Sequence, residues 1–258
     1  MGLRGWAALA AVTGSFIAVP GAHAFEAKGS VEQVSATGLA PKAQVTLLDA
    51  AGRTVATRAA NELGGVLFRD VAPRAGYRLR SGAETSAPLT VLDDSPAPPS
   101  TAVYDQQLPS RGYGYLTTRD GTKLSVFVHP PQDLLNAVPN GRSLPELPRV
   151  TGPTPTLIEY GGYGYADPNG PQSGIAILAN LMGFTVVDVN MRGTGCSGGA
   201  FDFFEPLQGL DGYDIVETVA RQPWAAHGKV GMMGISYGGI SQLFTAQHNP
   251  QRDRKSVV

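Results

Sequence analysis

Charge and sulfur are what this sequence has least of. Only 16% of its 258 residues are charged and the formal net charge is −1, so no basic surface is available for nucleic acid or an anionic membrane. One cysteine and four histidines exclude a disulfide framework and a dense zinc scaffold. No long hydrophobic run is present either. The apolar stretch 6–19 breaks at Pro20-Gly21, short of the about 20 residues that a membrane-spanning helix needs. What is there is a globular composition, 42% hydrophobic with 33 glycines, long enough for one large domain or two modest ones.

The first residues have the order of an export signal. Arg4 gives a positive start, 6–19 the apolar stretch, and Ala22-His23-Ala24 a small-x-small cleavage site before Phe25. Residues 1–24 are therefore expected to be removed, leaving a secreted or periplasmic protein with no membrane attachment. A single unpaired cysteine in such a compartment puts the burden of stability on packing.

Two regions follow. Residues 25–93 alternate over short runs such as Gln44-Val45-Thr46-Leu47-Leu48 and Leu89-Thr90-Val91-Leu92, separated by Gly, Asp and Pro. This predicts a small β-sandwich, similar in layout to the prealbumin-like or carboxypeptidase-regulatory-like modules of secreted enzymes, with a spacer or binding role. Residues 94–110 begin Asp94-Ser95-Pro96-Ala97-Pro98-Pro99; proline fixes φ and cannot feed a sheet ladder, so a stiff, extended linker is expected. From 111 to 252 the pattern changes. A hairpin signal at Asp120-Gly121 is followed by a proline-punctuated loop over 130–155. Apolar strand-like runs at 156–160, 184–189 and 230–233 then alternate with helical spacing at 173–182, 207–221 and 237–248. Such alternation predicts a mostly parallel sheet wrapped by helices.

The chemistry centres on Gly234-Ile235-Ser236-Tyr237-Gly238, a G-x-S-x-G between a strand and a helix. A sharp turn of this kind lifts a serine hydroxyl to the end of a sheet, at the positive end of the next helix. The amide of Tyr237 then points to where a tetrahedral oxyanion would form. The bland reading of Ser236 is a helix N-cap; the flanking strand and helix favour a nucleophile.

Around this motif the sequence resembles the CocE/NonD group of α/β-hydrolases, which includes X-Pro dipeptidyl-peptidases and amino-acid ester hydrolases. The resemblance rests on Gln222-Pro223-Trp224, 228–239, the loop 190–199 (NMRGTGCSGG), Asp120-Gly121 and Asp211-Gly212-Tyr213-Asp214. It implies a partial α/β-hydrolase fold and a small ester or peptide substrate, with no cofactor and no metal. It also implies a second oxyanion donor, a tyrosine hydroxyl in the loop after the third strand. In Glu159-Tyr160-Gly161-Gly162-Tyr163-Gly164-Tyr165, Tyr163 is the positional match, with Tyr160 and Tyr165 as rivals and simple packing as the alternative for each.

Other features read as structural. Gly193-x-Gly195-x-x-Gly198 spells a dinucleotide fingerprint, but 200–206 intervenes before the next helix, so no pyrophosphate site is expected. Cys196 has no elbow and no neighbouring histidine. Asp211 and Asp214 are expected to cap a helix start and favour its dipole.

A serine needs a base, and the base a carboxylate. In this fold they follow as Ser, acid, His, yet after Ser236 come only His248 and then Asp253, too close and in reversed order. The chain is therefore expected to be an inactive N-terminal piece. Its last six residues, 253–258, are expected to be non-native: GATCGGAAGAGCGTCGTGTAG, which looks like a sequencing adapter ending in a stop codon, translates to the same hexapeptide. An open edge on the fifth strand is the physical expectation that goes with this. The alternative class is a secreted binding protein with a degenerate hydrolase half.

Overall fold

The computed structural model describes residues 25–131, 152–170, 172–250 and 252–256. The stretch expected to be an export signal and most of the proline-punctuated loop lie outside them.

The N-terminal region is two small antiparallel sheets. One holds β1 (Glu26–Gly29), β2 (Val34–Thr37) and β5 (Val66–Phe68); the other holds β3 (Gln44–Leu48), β4 (Thr54–Ala59), β6 (Arg74–Ser81) and β7 (Glu84–Thr85), with β8 (Leu89–Val91) paired to β6. Alternate residues point inward, and Val34, Val45, Leu47, Phe68, Leu79 and Val91 close the core between the sheets. The Asp49 turn is held by its own carboxylate, which accepts from the Ala51 and Arg53 amides at 2.9 and 3.0 Å.

Residues 94–110, expected as a stiff spacer, are built into the second domain. A short 3₁₀ turn (Thr101–Asp105) buries Tyr104, whose hydroxyl donates to Asp214 at 2.8 Å. Leu108 enters the core and its amide donates to Gln222 at 2.9 Å. Two apolar anchors among the prolines give this segment something to bury.

The second domain carries a six-stranded sheet in the order β14-β13-β11-β12-β10-β9. β9 (Gly112–Thr117) and β10 (Lys123–His129) form the hairpin at Asp120-Gly121; β11 (Thr154–Gly161), β12 (Thr185–Asn190) and β13 (Ala225–Met233) are parallel. Helix α1 (Gly174–Leu181) covers one face; α2 (Pro206–Ala220) and α3 (Tyr237–Gln247) cover the other. Both faces are thus closed over β12, every residue of which is buried. This is the mostly parallel sheet wrapped by helices that the sequence pattern predicted, and it fits in part the α/β-hydrolase fold that the resemblance implied. From β11 the chain passes to β12 on one side, while β13 pairs on the other. That reversal opens a crevice at the C-terminal ends of β11 and β13.

Two expectations change. β14 (Asp253–Ser256) lies parallel against Val230, Gly231 and Met232 of β13, so the β13 edge is paired at the backbone instead of open. Apolar surface nevertheless remains at α1, where Leu178, Leu181 and Met182 stay exposed. Asp211 and Asp214 are not caps, because α2 starts at Pro206 and both side chains are buried in its middle. Asp211 takes two 2.6 Å hydrogen bonds from Arg192, and Asp214 accepts from Arg119 and Tyr104.

The sandwich is docked on this domain. Val31 and Leu92 pack on Leu207 and Leu210 of α2. Ser30 donates to Asp120, Lys28 to Thr122 at 2.8 Å, and Gln33 to Glu205 at 2.9 Å. Asp120 also meets Arg192 at 3.2 Å. Burial opposes ionisation of Asp120, but the Arg192 and Lys28 charges hold its carboxyl well below the usual range. No helix among the described residues is long and apolar enough to cross a membrane.

Candidate active site

The crevice is built by two turns. After β13 the chain reverses through Gly234-Ile235-Ser236 into α3. Ser236 sits at φ 56°, ψ −122°, a backbone region that only glycine adopts freely, and its carbonyl already accepts the first helical bond from Ile240 at 2.9 Å. Gly234 must lack a side chain, because a Cβ there would lie 2.5 Å from the Gly238 carbonyl carbon. Ser236 is exposed at the C-terminal edge of the sheet and makes no side-chain cap. The N-cap alternative therefore does not account for its hydroxyl.

After β11 the chain turns through Gly161-Gly162-Tyr163-Gly164-Tyr165. Asn190, at the end of β12, clamps this loop: its side chain accepts from the Ala166 amide at 3.0 Å and donates to Ser125 at 2.9 Å. The loop brings the Tyr163 hydroxyl to 3.2 Å from Ser236 Oγ, to which it donates, and the Tyr237 amide donates to the same Tyr163 oxygen at 3.3 Å. Ser236 Oγ, the Tyr163 hydroxyl and the Tyr237 amide thus meet at one point.

The rival tyrosines are elsewhere. Tyr160 is fully buried and donates to the Gln208 carbonyl of α2 at 3.1 Å, so it is core. Tyr165 packs edge-on against Tyr163, ring centres 5.7 Å apart at 77°, and lies beneath it. The side chain of Tyr237 points away from the crevice, donating to Gln208 Oε1 at 2.6 Å, with Phe203 stacked on its ring at 5.4 Å. Phe203 and Phe201 are exposed, and both stand against the Tyr237 ring.

The glycine-rich loop 193–198 folds back on the sheet. The Gly198 amide donates to the Lys123 carbonyl at 2.8 Å, and Ser197 donates to the Asn190 carbonyl at 2.8 Å. No helix follows until Pro206, so the fingerprint is a buttress for Asn190. Cys196 is exposed on the same loop. Among the described residues no group of three or more His, Cys, Asp or Glu side chains is placed to hold a metal ion.

The described histidines do not reach Ser236. His248 ends α3, 12 positions after Ser236, about 18 Å along the axis at 1.5 Å per residue, and its ring abuts Gly209 of α2. His129 stands 3.1 Å from Asp188 on the sheet.

Sequence reading missed a buried carboxyl pair below the crevice. Glu159 and Asp188 are register partners on β11 and β12, with exposures of 2% and 0%. Ser173, the N-cap of α1, donates to Glu159 at 2.6 Å. Burial pushes Glu159 up to about 7, opposed by Ser173 and reinforced by the Asp188 charge; burial also raises Asp188, opposed by His129. The signal was available: each is a lone acid inside an apolar strand run, LIEY and VVDV.

Residues 144–255 match the model of the X-Pro dipeptidyl-peptidase (S15 family). That match covers 112 of the 258 residues and takes in the loop 190–199, Asp211–Asp214, Gln222–Trp224 and 228–239, most of the motifs on which the resemblance rests. Among solved structures, a CocE/NonD family hydrolase from Staphylococcus aureus is 22% identical, with 56% of this chain and 26% of that one covered and a TM-score of 0.45. Acetyl xylan esterase 1 from Thermoanaerobacterium sp. JW/SL YS485 is 22% identical (56% and 45% covered, TM-score 0.40). An aminopeptidase from the marine sediment archaeon Thaumarchaeota archaeon is 16% identical (59% and 26% covered, TM-score 0.42). The chain spans about a quarter of the length of the Staphylococcus hydrolase. No curated protein matches it.

Proposed function

We propose that this chain carries the nucleophile and oxyanion-binding half of an exported serine hydrolase acting on a small ester or peptide. Ser236 Oγ adds to the acyl carbonyl, its proton passes to a base, and the leaving group departs with a proton. Water then releases the acyl group from Ser236. The observation that carries this reading is the convergence of Ser236 Oγ and the Tyr237 amide on the Tyr163 hydroxyl, within 3.2 and 3.3 Å, at a serine held in a glycine-like backbone conformation. A substrate carbonyl oxygen entering beside Ser236 would take the Tyr237 N–H from Tyr163 and accept a second bond from the phenol. The phenol donates without carrying charge at neutral pH.

No described histidine lies where it could take the Ser236 proton, so the 258-residue chain on its own is inferred to lack turnover. The test uses the full-length protein that contains this sequence, isolated from the exported fraction with Phe25 as its first residue. A fluorophosphonate should label Ser236, and Ser236→Ala should abolish labelling. Tyr163→Phe should slow acylation about 100- to 1000-fold, the effect of removing one oxyanion donor. Labelling that persists in Ser236→Ala would sink the assignment.

A further inference from the structure

We propose that Glu159 and Asp188 hold one proton between them, and that this shared proton positions Tyr165 and, through it, Tyr163 at Ser236. The part that concerns Ser236 rests on the function proposed above; the shared proton and its hold on the tyrosine loop do not.

The two carboxyls are register partners on adjacent parallel strands, so their side chains leave the same face of the sheet about 4.8 Å apart at the backbone. Both are buried. Asp188 has His129 Nε2 at 3.1 Å from one oxygen, yet neither of its carboxylate oxygens accepts a well-directed hydrogen bond from any donor in the described residues. Two like charges that close and that dry cannot both persist, and a proton on Glu159 supplies the missing donor to Asp188. The groups facing the pair are Ser173 from the start of α1, His129 from β10, Met233 from β13 and Tyr165 from the loop above.

Tyr165 is the link to the crevice. Its ring edge would lie 2.7 Å from a Cβ on Gly161, and its hydroxyl 3.3 Å from a Cβ on Gly238. It is therefore wedged between the end of β11 and the first turn of α3, where only glycines leave space. Its hydroxyl faces Glu159, and burial together with the Glu159 charge raises it above the ordinary tyrosine value. Tyr163 rests edge-on against this ring. With Glu159 protonated, the Tyr165 hydroxyl faces a neutral acid. When the shared proton leaves, the phenol donates to a charged carboxylate instead, which binds it more tightly, and the ring is drawn down with Tyr163 resting on it.

The experiment is a pH titration by NMR of the 258-residue chain, carrying ¹³C at the Glu carboxyl and Tyr ring positions. The expected result is a Glu159 carboxyl transition centred near 7, with Tyr163 and Tyr165 ring signals moving at the same midpoint. Glu159→Gln, which keeps the hydrogen-bonding shape of the neutral acid, should abolish the tyrosine transition. Asp188→Asn should move the Glu159 midpoint down, because it removes the neighbouring charge while leaving Glu159 buried. A Glu159 midpoint in the ordinary carboxyl range, or tyrosine signals that do not follow it, overturns the proposal, and the wild-type titration decides this even if a variant fails to fold. A transition shared by Glu159 and both tyrosines upholds it whether or not Ser236 proves reactive toward fluorophosphonate, so the two readings fail separately.

A second readout is stability. In the unfolded chain Glu159 ionises near its ordinary 4.5, in the folded chain near 7. The folded state keeps the proton longer, so the contribution of this residue is fully present below about 4.5, is lost as pH rises toward about 7, and stays lost above it. The thermal midpoint of the wild type, measured against that of Glu159→Gln, should fall across this window; a constant difference would contradict the pairing.

Discussion

An Arg192→Ala variant is expected to lose about 3–5 kcal/mol of stability, because removing one partner leaves the others charged and buried. Arg192 is 3% exposed at its side chain and makes two 2.6 Å hydrogen bonds to Asp211 and a 3.2 Å contact to Asp120. Asp211 lies in the middle of α2, where burial already pushes its carboxyl up to about 7 against the pull of Arg192. Without the guanidinium it would have to take up a proton or draw in water. Asp120 is the same group that receives Ser30 and Lys28 from the sandwich, so the loss should reach across the domain contact. Urea unfolding followed by fluorescence measures it, and Arg192→Ala/Asp211→Asn should recover part of the loss by removing one of the stranded charges. A cost below about 1 kcal/mol, the scale of an exposed ion pair, would show that the network does not anchor the two domains.

Gly234→Ala should cost about 3 kcal/mol, at the upper end of ordinary overpacking. The added methyl would sit 2.5 Å from the Gly238 carbonyl carbon and 2.6 Å from its oxygen. Neither atom is the end of a flexible side chain, so the strand end and the helix start must move apart. The same movement separates Ser236 from Tyr163. The expected signature is therefore a lower thermal midpoint together with loss of the Tyr163 to Ser236 contact in a structure of the variant. A variant as stable as the wild type would mean that the turn has freedom the geometry denies it.

Legibility in the sequence followed the distance over which each feature is specified. The elbow is local, since strand, two glycines, serine and helix all fall within a short window. Tyr163 was reachable only through the resemblance, as the positional match to the oxyanion tyrosine that the family implies. Between Tyr160, Tyr163 and Tyr165 the choice needed tertiary structure: Gln208 buries Tyr160, and Gly161 and Gly238 make the slot for Tyr165. Each acid of the Glu159–Asp188 pair was visible as a lone carboxyl in an apolar run, but their pairing depends on the register of two strands 29 positions apart, which neither run specifies. Asp211 and Asp214 looked like cap residues although the helix was expected from 207, next to its observed start at Pro206; both lie past the first turn, where a side chain no longer reaches a free amide. The docking of 94–110 was hidden for a different reason: the prolines dominated the reading, while Tyr104 and Leu108 settled where the segment goes.

The conformation of Ser236 bears on how such a chain could drift. A non-glycine residue in that region of backbone space costs on the order of 1–3 kcal/mol, and here the strain belongs to the residue whose hydroxyl accepts from Tyr163. A lineage that had abandoned hydrolysis for binding would find glycine at 236 the easiest of substitutions, improving the fold at no loss. Folding alone gains nothing from a serine there, so under the function proposed above the strain is a stability cost kept for reactivity.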